Sequence, residues 1–147
     1  HDKGLCLLEF INRKHLQRQL ERVQKRFNAR FVPGEHEIFP RLQKQLDEYF
    51  KRQRRLFDIP LNLQGTAFQL QAWQALLAIP YGETRSYQQQ AGMIGKPEAV
   101  RAVATANASN AIAILVPCHR VISKSGRLAG YAGGEWRKQY LLDLEIP

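Results

Sequence analysis

Between residues 86 and 109 the chain carries a pattern that admits few folds. Ser86-Tyr87-Gln88-Gln89 has the S/T-x-x-Q form of a capping box and opens a short helix to about Ile94. Gly95 suits the left-handed residue that ends a helix, and Pro97 suits the first turn of the next, expected over Pro97 to Ser109. Two helices joined by so short a turn read as a helix-turn-helix. The second helix is unusual: Ala99, Ala102, Ala104, Ala106 and Ala108 line it, and Arg101 is its only charged side chain after Glu98. A helix that reads bases offers several long polar side chains. Small ones instead let the backbone approach a groove, which points to DNA binding with little sequence preference; alanines packed on a core are the alternative.

The remainder predicts an α/β chain. Gly4 to Ile11 reads as a buried strand, and Leu16, Leu20, Val23 and Phe27 mark one face of a helix. Ala29 to Val32 is a candidate second strand, and Ile38, Leu42, Leu46, Tyr49 and Phe50 mark another helix. Its trailing cluster, Lys51, Arg52, Arg54 and Arg55, reads as a solvated face. Phe57 to Leu63 reads as an extended crossing between a subdomain over 1–60 and a domain over 61–147. A second capping box, Thr66-Ala67-Phe68-Gln69, starts a helix carrying Trp73, Leu76 and Leu77. Ala111 to Val116 reads as a strand broken by Pro117, with Val121-Ile122 beyond the break. Glu135 to Leu144 predicts a last helix whose apolar face is Trp136, Tyr140, Leu141 and Leu144.

Charge narrows the partners. The chain holds 22 basic against 13 acidic side chains, and both portions are basic. A sequence pI near 9.9 favours a polyanion, nucleic acid above all. No apolar run approaches a membrane span and the N-terminus lacks a cleavable signal pattern, so a membrane or secreted protein is disfavoured. Two cysteines, Cys6 and Cys118, make neither a CxxC pair nor a disulfide framework.

Pro117-Cys118-His119-Arg120 is the most informative tetrapeptide. Thiolate is the reactive form of cysteine, and a nearby His or Arg lowers its pKa. Neighbours in an extended chain face opposite ways, so His119 needs a bend or a bridging water to take the Cys118 proton. Pro117 supplies a reason for a bend. A carboxylate on the far nitrogen of His119 would complete a nucleophile–base–orienter relay. An inert buried cysteine beside a surface histidine is the plainer reading of these residues alone. A metal site is not expected, because adjacent ligands rarely form a tetrahedral site.

From Gly65 to about Glu145 the chain resembles the O6-alkylguanine-DNA alkyltransferases, through GTAFQ, IPYGETRSYQQQA, GKPEAVRAV, ILVPCHRVI and GYAGG in order. Residues 1–60 match more weakly, as the end of the family's first subdomain. The resemblance implies a partial, ribonuclease H-like N-terminal α/β subdomain, then a mostly helical domain with a winged helix-turn-helix. The family's first subdomain has more sheet, so a fragment of a longer protein is expected. Zinc ligands of some members have no counterpart among Cys6, His1, His15 and His36, and no cofactor is expected.

By resemblance, Cys118 is the alkyl acceptor, His119 its water-mediated base and Glu145 the carboxylate orienting His119. Asn110 braces the turn beside the active-site motif. Tyr87 donates toward the guanine and helps rotate the nucleotide out, and Arg101 fills the vacated space. Ser86, Ala102 and Thr105 join Tyr87 and Arg101 at the DNA. Pro117, Val121, Tyr131 and Ala132 form the pocket. Ala113 and Ala129 stand where some members have proline and glycine, which implies that methyl is accepted readily and benzyl poorly.

The implied activity is irreversible, stoichiometric transfer of an alkyl group from O6-alkylguanine, and also O4-alkylthymine, in double-stranded DNA to Cys118. The alternatives are a non-catalytic lesion-binding protein, whose known members replace the acceptor cysteine, and the DNA-binding part of a larger damage-response regulator. The expected setting is intracellular: cytoplasm or nucleoid in a prokaryote, nucleus in a eukaryote. A monomer is expected, with fusion to further domains left open.

Overall fold

The computed structural model describes residues 1–128 and 130–146. Helix α1 (Leu16–Phe27) and helix α2 (Ile38–Phe50) precede α3 (Ala67–Leu77), β1 (Arg85–Ser86), α4 (Tyr87–Met93) and α5 (Val100–Ala108). A 3₁₀ turn (Cys118–Arg120), β2 (Val121–Ile122) and α6 (Glu135–Leu144) complete the chain. β1 and β2 pair in parallel, Arg85 beside Val121 and Ser86 beside Ile122. Among the described residues no helix is long and apolar enough to cross a membrane.

Both expected capping boxes form. Thr66 and Ser86 each accept a hydrogen bond from the backbone N–H three residues on, and Gln69 and Gln89 reach back to the cap's own N–H. Helices α3, α4 and α5 pack on one another around Trp73, whose Nε1 donates to the Ala106 carbonyl at 2.9 Å. Gln90 of α4 and Asn107 of α5 exchange a reciprocal pair of buried amide hydrogen bonds, at 2.9 and 2.7 Å. The two helices of the helix-turn-helix are thus fixed to each other by buried polar groups. Helix α5 begins at Val100 rather than Pro97. A turn closed by the Ala99 N–H on the Lys96 carbonyl comes first, and Ala99 is not helical.

Three expected strands do not form. The Gly4 to Ile11 run makes two isolated parallel bridges, Leu5 with Leu61 and Leu8 with Ile112. It changes partner after three residues, so no ladder propagates. Ala29 to Val32 lies outside any strand. Ala111 to Val116 is a turn, because Asn110 spans it. Its Oδ1 accepts from the Ile112 N–H at 3.0 Å and its Nδ2 donates to the Val116 carbonyl at 2.8 Å. Ile114 takes a positive φ of 71°. Local side-chain bonds of this kind compete directly with a sheet ladder.

Helix α6 forms over the expected residues but presents another face. Trp136 and Tyr140 are 66% and 55% exposed, whereas Lys138, Leu141, Leu144 and Glu145 are buried. At 100° per residue, the buried stripe is turned by roughly 80° from the apolar one. One core joins both portions of the chain: Leu5, Ile38, Leu42 and Tyr49 pack with Trp73, Leu76, Val116 and Leu141.

Candidate active site

The 3₁₀ turn after Pro117 supplies the bend that the Cys-His pair requires. It leaves Cys118 half-buried and carries His119 fully into the interior. There His119 Nε2 lies 2.8 Å from Oε2 of Glu145, at the C-terminus of α6. The same oxygen accepts from the Tyr49 hydroxyl at 2.6 Å and from Arg120 Nη2 at 3.0 Å. Oε1 accepts from Arg120 Nε at 2.7 Å, and Arg120 Nη1 donates to the Ile79 carbonyl at 2.8 Å.

These contacts decide the charges. Burial by itself would raise the Glu145 pKa, but hydrogen bonds from His119, Arg120 and Tyr49 outweigh it and hold the carboxyl at about 2. Burial also lowers the His119 pKa, against the pull of Glu145, so the ring is neutral. An ionised carboxylate on Nε2 keeps the ring proton there and leaves Nδ1 as an acceptor. Nδ1 is buried and has no protein partner. The ring is therefore held in one orientation with an acceptor atom free.

Burial pushes the Cys118 pKa up, only partly offset by an Asn110 Nδ2 hydrogen bond to Sγ at 3.3 Å and by the charge of Lys138. Sγ opens on a cavity of about 20 Å³, the room of one water, lined by Tyr87, Asn110, Ala113, Tyr131, Ala132 and Lys138 among others. Tyr87 and Tyr131 both have raised pKa values, first from burial and then from Cys118, so both stay phenols that can donate. The Tyr131 hydroxyl is buried with no protein partner.

Of the expected pocket residues, Tyr131 and Ala132 line this cavity; Pro117 and Val121 do not. Pro117 is buried where it starts the 3₁₀ turn, and Val121 is sealed in the core by pairing with β1. Ala113 faces the cavity, while Ala129 lies outside the described residues. Arg101, Ala102 and Thr105 are all exposed on α5. The Thr105 hydroxyl donates to the Arg101 carbonyl at 3.1 Å, and Ser86 Oγ is occupied in capping α4.

Tyr49, Lys138 and the buried Glu9–Arg13 ion pair were not legible as site residues, and Arg120, read beside the cysteine, pairs with Glu145 instead. One signal existed for Lys138. Once Glu145 is turned inward, residues four and seven earlier on the same helix, Leu141 and Lys138, must follow it. Lys138 Nζ stands 5.8 and 5.9 Å from the ring centres of Tyr87 and Tyr131. Glu9 and Arg13 sit in a segment with no motif, and only the tertiary fold brings them to the cavity.

The site thus joins a helix-turn-helix to a cysteine whose neighbouring imidazole is anchored on a buried carboxylate. The family model described as 6-O-methylguanine DNA methyltransferase, DNA binding domain, matches residues 67–146, and its ribonuclease-like domain matches residues 1–63. The chain belongs to this 6-O-methylguanine DNA methyltransferase family. A methylated-DNA–protein-cysteine methyltransferase of Methanosarcina barkeri is 43% identical over 99% of this chain and 86% of its own. One from Mycobacterium bovis is 58% identical over 101 residues, 69% of this chain, and the match spans only 61% of that relative's length. The crystal structure of Mycobacterium tuberculosis OGT in complex with DNA superposes with a TM-score of 0.82 at 46% identity, covering 99% of this chain and 82% of that one. The ribonuclease-like match falls on a region that here contributes two helices and isolated bridges rather than a regular sheet.

Proposed function

We propose that this chain repairs alkylated DNA by moving the alkyl group, methyl foremost, from O6 of guanine to Sγ of Cys118, once per molecule. The observation that carries the reading is a neutral, buried imidazole anchored on Glu145 with Nδ1 free, in the residue next to a cysteine that burial keeps protonated. A water between them passes the thiol proton to Nδ1, and Glu145 stabilises the imidazolium that results. The thiolate attacks the alkyl carbon in line; the Sγ–C bond forms as the O6–C bond breaks, and the electron pair leaves with guanine. Tyr87 donates a proton or hydrogen bond to the purine as that charge develops. The product is a thioether, which offers water no easily expelled group, so Cys118 is not regenerated.

A base inside a duplex hides O6, so the nucleotide must be rotated out at a cost of a few kcal/mol. Exposed Arg101, on a helix otherwise faced with alanines, is suited to enter the space left behind, with Ala102, Thr105 and Ser86 flanking it. The partner is duplex DNA, met inside the cell by a monomer. The tight cavity and the Ala113 methyl favour methyl over benzyl, so rapid inactivation by O6-benzylguanine would count against the size preference. O4-alkylthymine presents the same kind of alkyl carbon and is the second substrate proposed.

Intact-mass analysis after incubation with a duplex holding one O6-methylguanine tests the reading. One added methyl group on Cys118, with restored guanine plateauing at the amount of active protein, is the expected result. DNA binding with no mass gain would leave a lesion-binding protein instead. Repair well past one equivalent, or label on Cys6, would overturn the assignment.

A further inference from the structure

Tyr49 is fully buried in α2, far in sequence from the Cys-His motif, and its hydroxyl donates to Glu145 Oε2 at 2.6 Å. That is the oxygen that holds His119. The ring has apolar company enough to explain an aromatic residue: Phe50 and Phe57 lie at 5.3 and 5.4 Å, and Tyr81 meets it nearly perpendicular at 6.3 Å. Phenylalanine would satisfy that packing. A buried hydroxyl costs free energy unless it is bonded, so the hydroxyl's purpose is found at its one partner.

We propose that Tyr49 is a positioning residue of the relay: by sharing Oε2 of Glu145 with His119, its hydroxyl limits how tightly the carboxylate holds the imidazolium and so sets the pH at which His119 is free to act as a base. The inference rests on the alkyl-transfer reading above. It also gives the N-terminal portion of the chain a part in the chemistry, since α2 carries the hydroxyl to a carboxylate on α6.

The electrostatic surroundings fix the direction of the effect. Glu145 is faced by His119, Arg120 and Tyr49; His119 additionally feels Lys138, and Tyr49 feels Arg120 and Tyr81. Arg120 contributes a fixed positive charge, and Tyr49 stays a phenol because burial and the neighbouring carboxylate both oppose its ionisation. Removing the hydroxyl leaves Oε2 with one donor fewer and more negative charge for the ring. His119 then holds a proton up to a higher pH, and the neutral base is lost sooner on acidification.

The test is the single-turnover rate of transfer from a duplex containing one O6-methylguanine, measured against pH for wild type, Tyr49→Phe and Tyr81→Phe. Tyr81 belongs to the same aromatic cluster, but its hydroxyl donates to the Leu144 carbonyl at 3.2 Å and not to the carboxylate. In Tyr49→Phe the acid limb should move up by about half a pH unit or more, a rate about threefold lower at a fixed pH on that limb. In Tyr81→Phe it should stay with wild type, whatever the loss of thermal stability. A Tyr49→Phe limb superimposed on wild type overturns the proposal, and so does an equal shift in both variants. A wild-type protein that gains no methyl group would instead remove the alkyl-transfer reading, and this proposal with it. Should Tyr49→Phe fail to fold, NMR of the wild-type protein decides: a slowly exchanging Tyr49 hydroxyl proton shifted downfield by its carboxylate partner supports the proposal, and its absence overturns it.

Discussion

The two sides of Cys118 are built on opposite principles. On the side of Glu145 both carboxylate oxygens are engaged, Oε2 by His119, Tyr49 and Arg120 and Oε1 by Arg120, and only His119 Nδ1 is left without a protein partner. On the pocket side polar groups are left waiting. The Tyr131 hydroxyl has no partner, and Lys138 is buried beside two aromatic rings with its pKa lowered by burial. Buried polar groups without partners are costly, and proteins tolerate them where something else completes them. The carboxylate side holds the imidazole in one orientation. The pocket side leaves donors open, as the proposed reaction requires.

Substitutions can break this contrast. The largest effect belongs to the atom between the two sides: Cys118→Ser should bind duplex DNA yet transfer nothing measurable, because a hydroxyl resists ionisation even beside His119. Intact mass together with a gel-shift assay reads both halves of that outcome. Glu145→Gln should slow transfer by about 10²-fold without abolishing it, since the amide still holds the ring but stabilises its cation less. Leaving Arg120 buried without its counter-charge should also cost about 3 kcal/mol in chemical denaturation. Loss of the relay would thus appear in stability as well as rate.

On the pocket side, effects should fall on rate alone. Tyr87→Phe removes one donor, and single-turnover kinetics should show transfer slowed by about thirtyfold with an unchanged melting temperature. An undiminished rate would exclude Tyr87 as the donor. Arg101→Ala should be smaller and selective, about tenfold on duplex DNA, with little change toward the free alkylated base, because its proposed work is to hold the rotated state. Equal losses on both substrates would count against that role.

The smallest effect sharpens the comparison by pH. Glu145 is held at about 2 in the folded chain against an ordinary value of 4.5. A carboxylate whose pKa is depressed by folding contributes stability that is complete above the ordinary value and is lost as pH falls through the folded one. Urea midpoints should therefore fall in wild type between about pH 4.5 and pH 2, and part of that slope should be missing from Glu145→Gln. An unaltered slope in the variant would mean that other carboxylates govern acid unfolding.

Local chemistry set the individual helices of the helix-turn-helix. Capping boxes, Gly95 and a helix of alanines act within a few residues of themselves, and α3, α4 and α6 formed where they were expected, with α5 starting a turn late. Cys118 and His119 stood out on residue chemistry as a candidate pair, but Glu145 was named only because an ordered set of motifs resembles a family; spacing by itself said nothing of a partner 26 residues away. The apolar runs misled. Strand formation depends on an available neighbour, and Asn110 instead closed residues 111–116 into a turn. Tertiary packing also chose which stripe of α6 faces inward, because pairing Glu145 with His119 and Arg120 outweighed covering Trp136 and Tyr140. The same packing brought Tyr49 from α2 to that carboxylate. No sequence pattern records such a meeting, since a hydroxyl and a carboxylate 96 residues apart become neighbours only once both helices share a core.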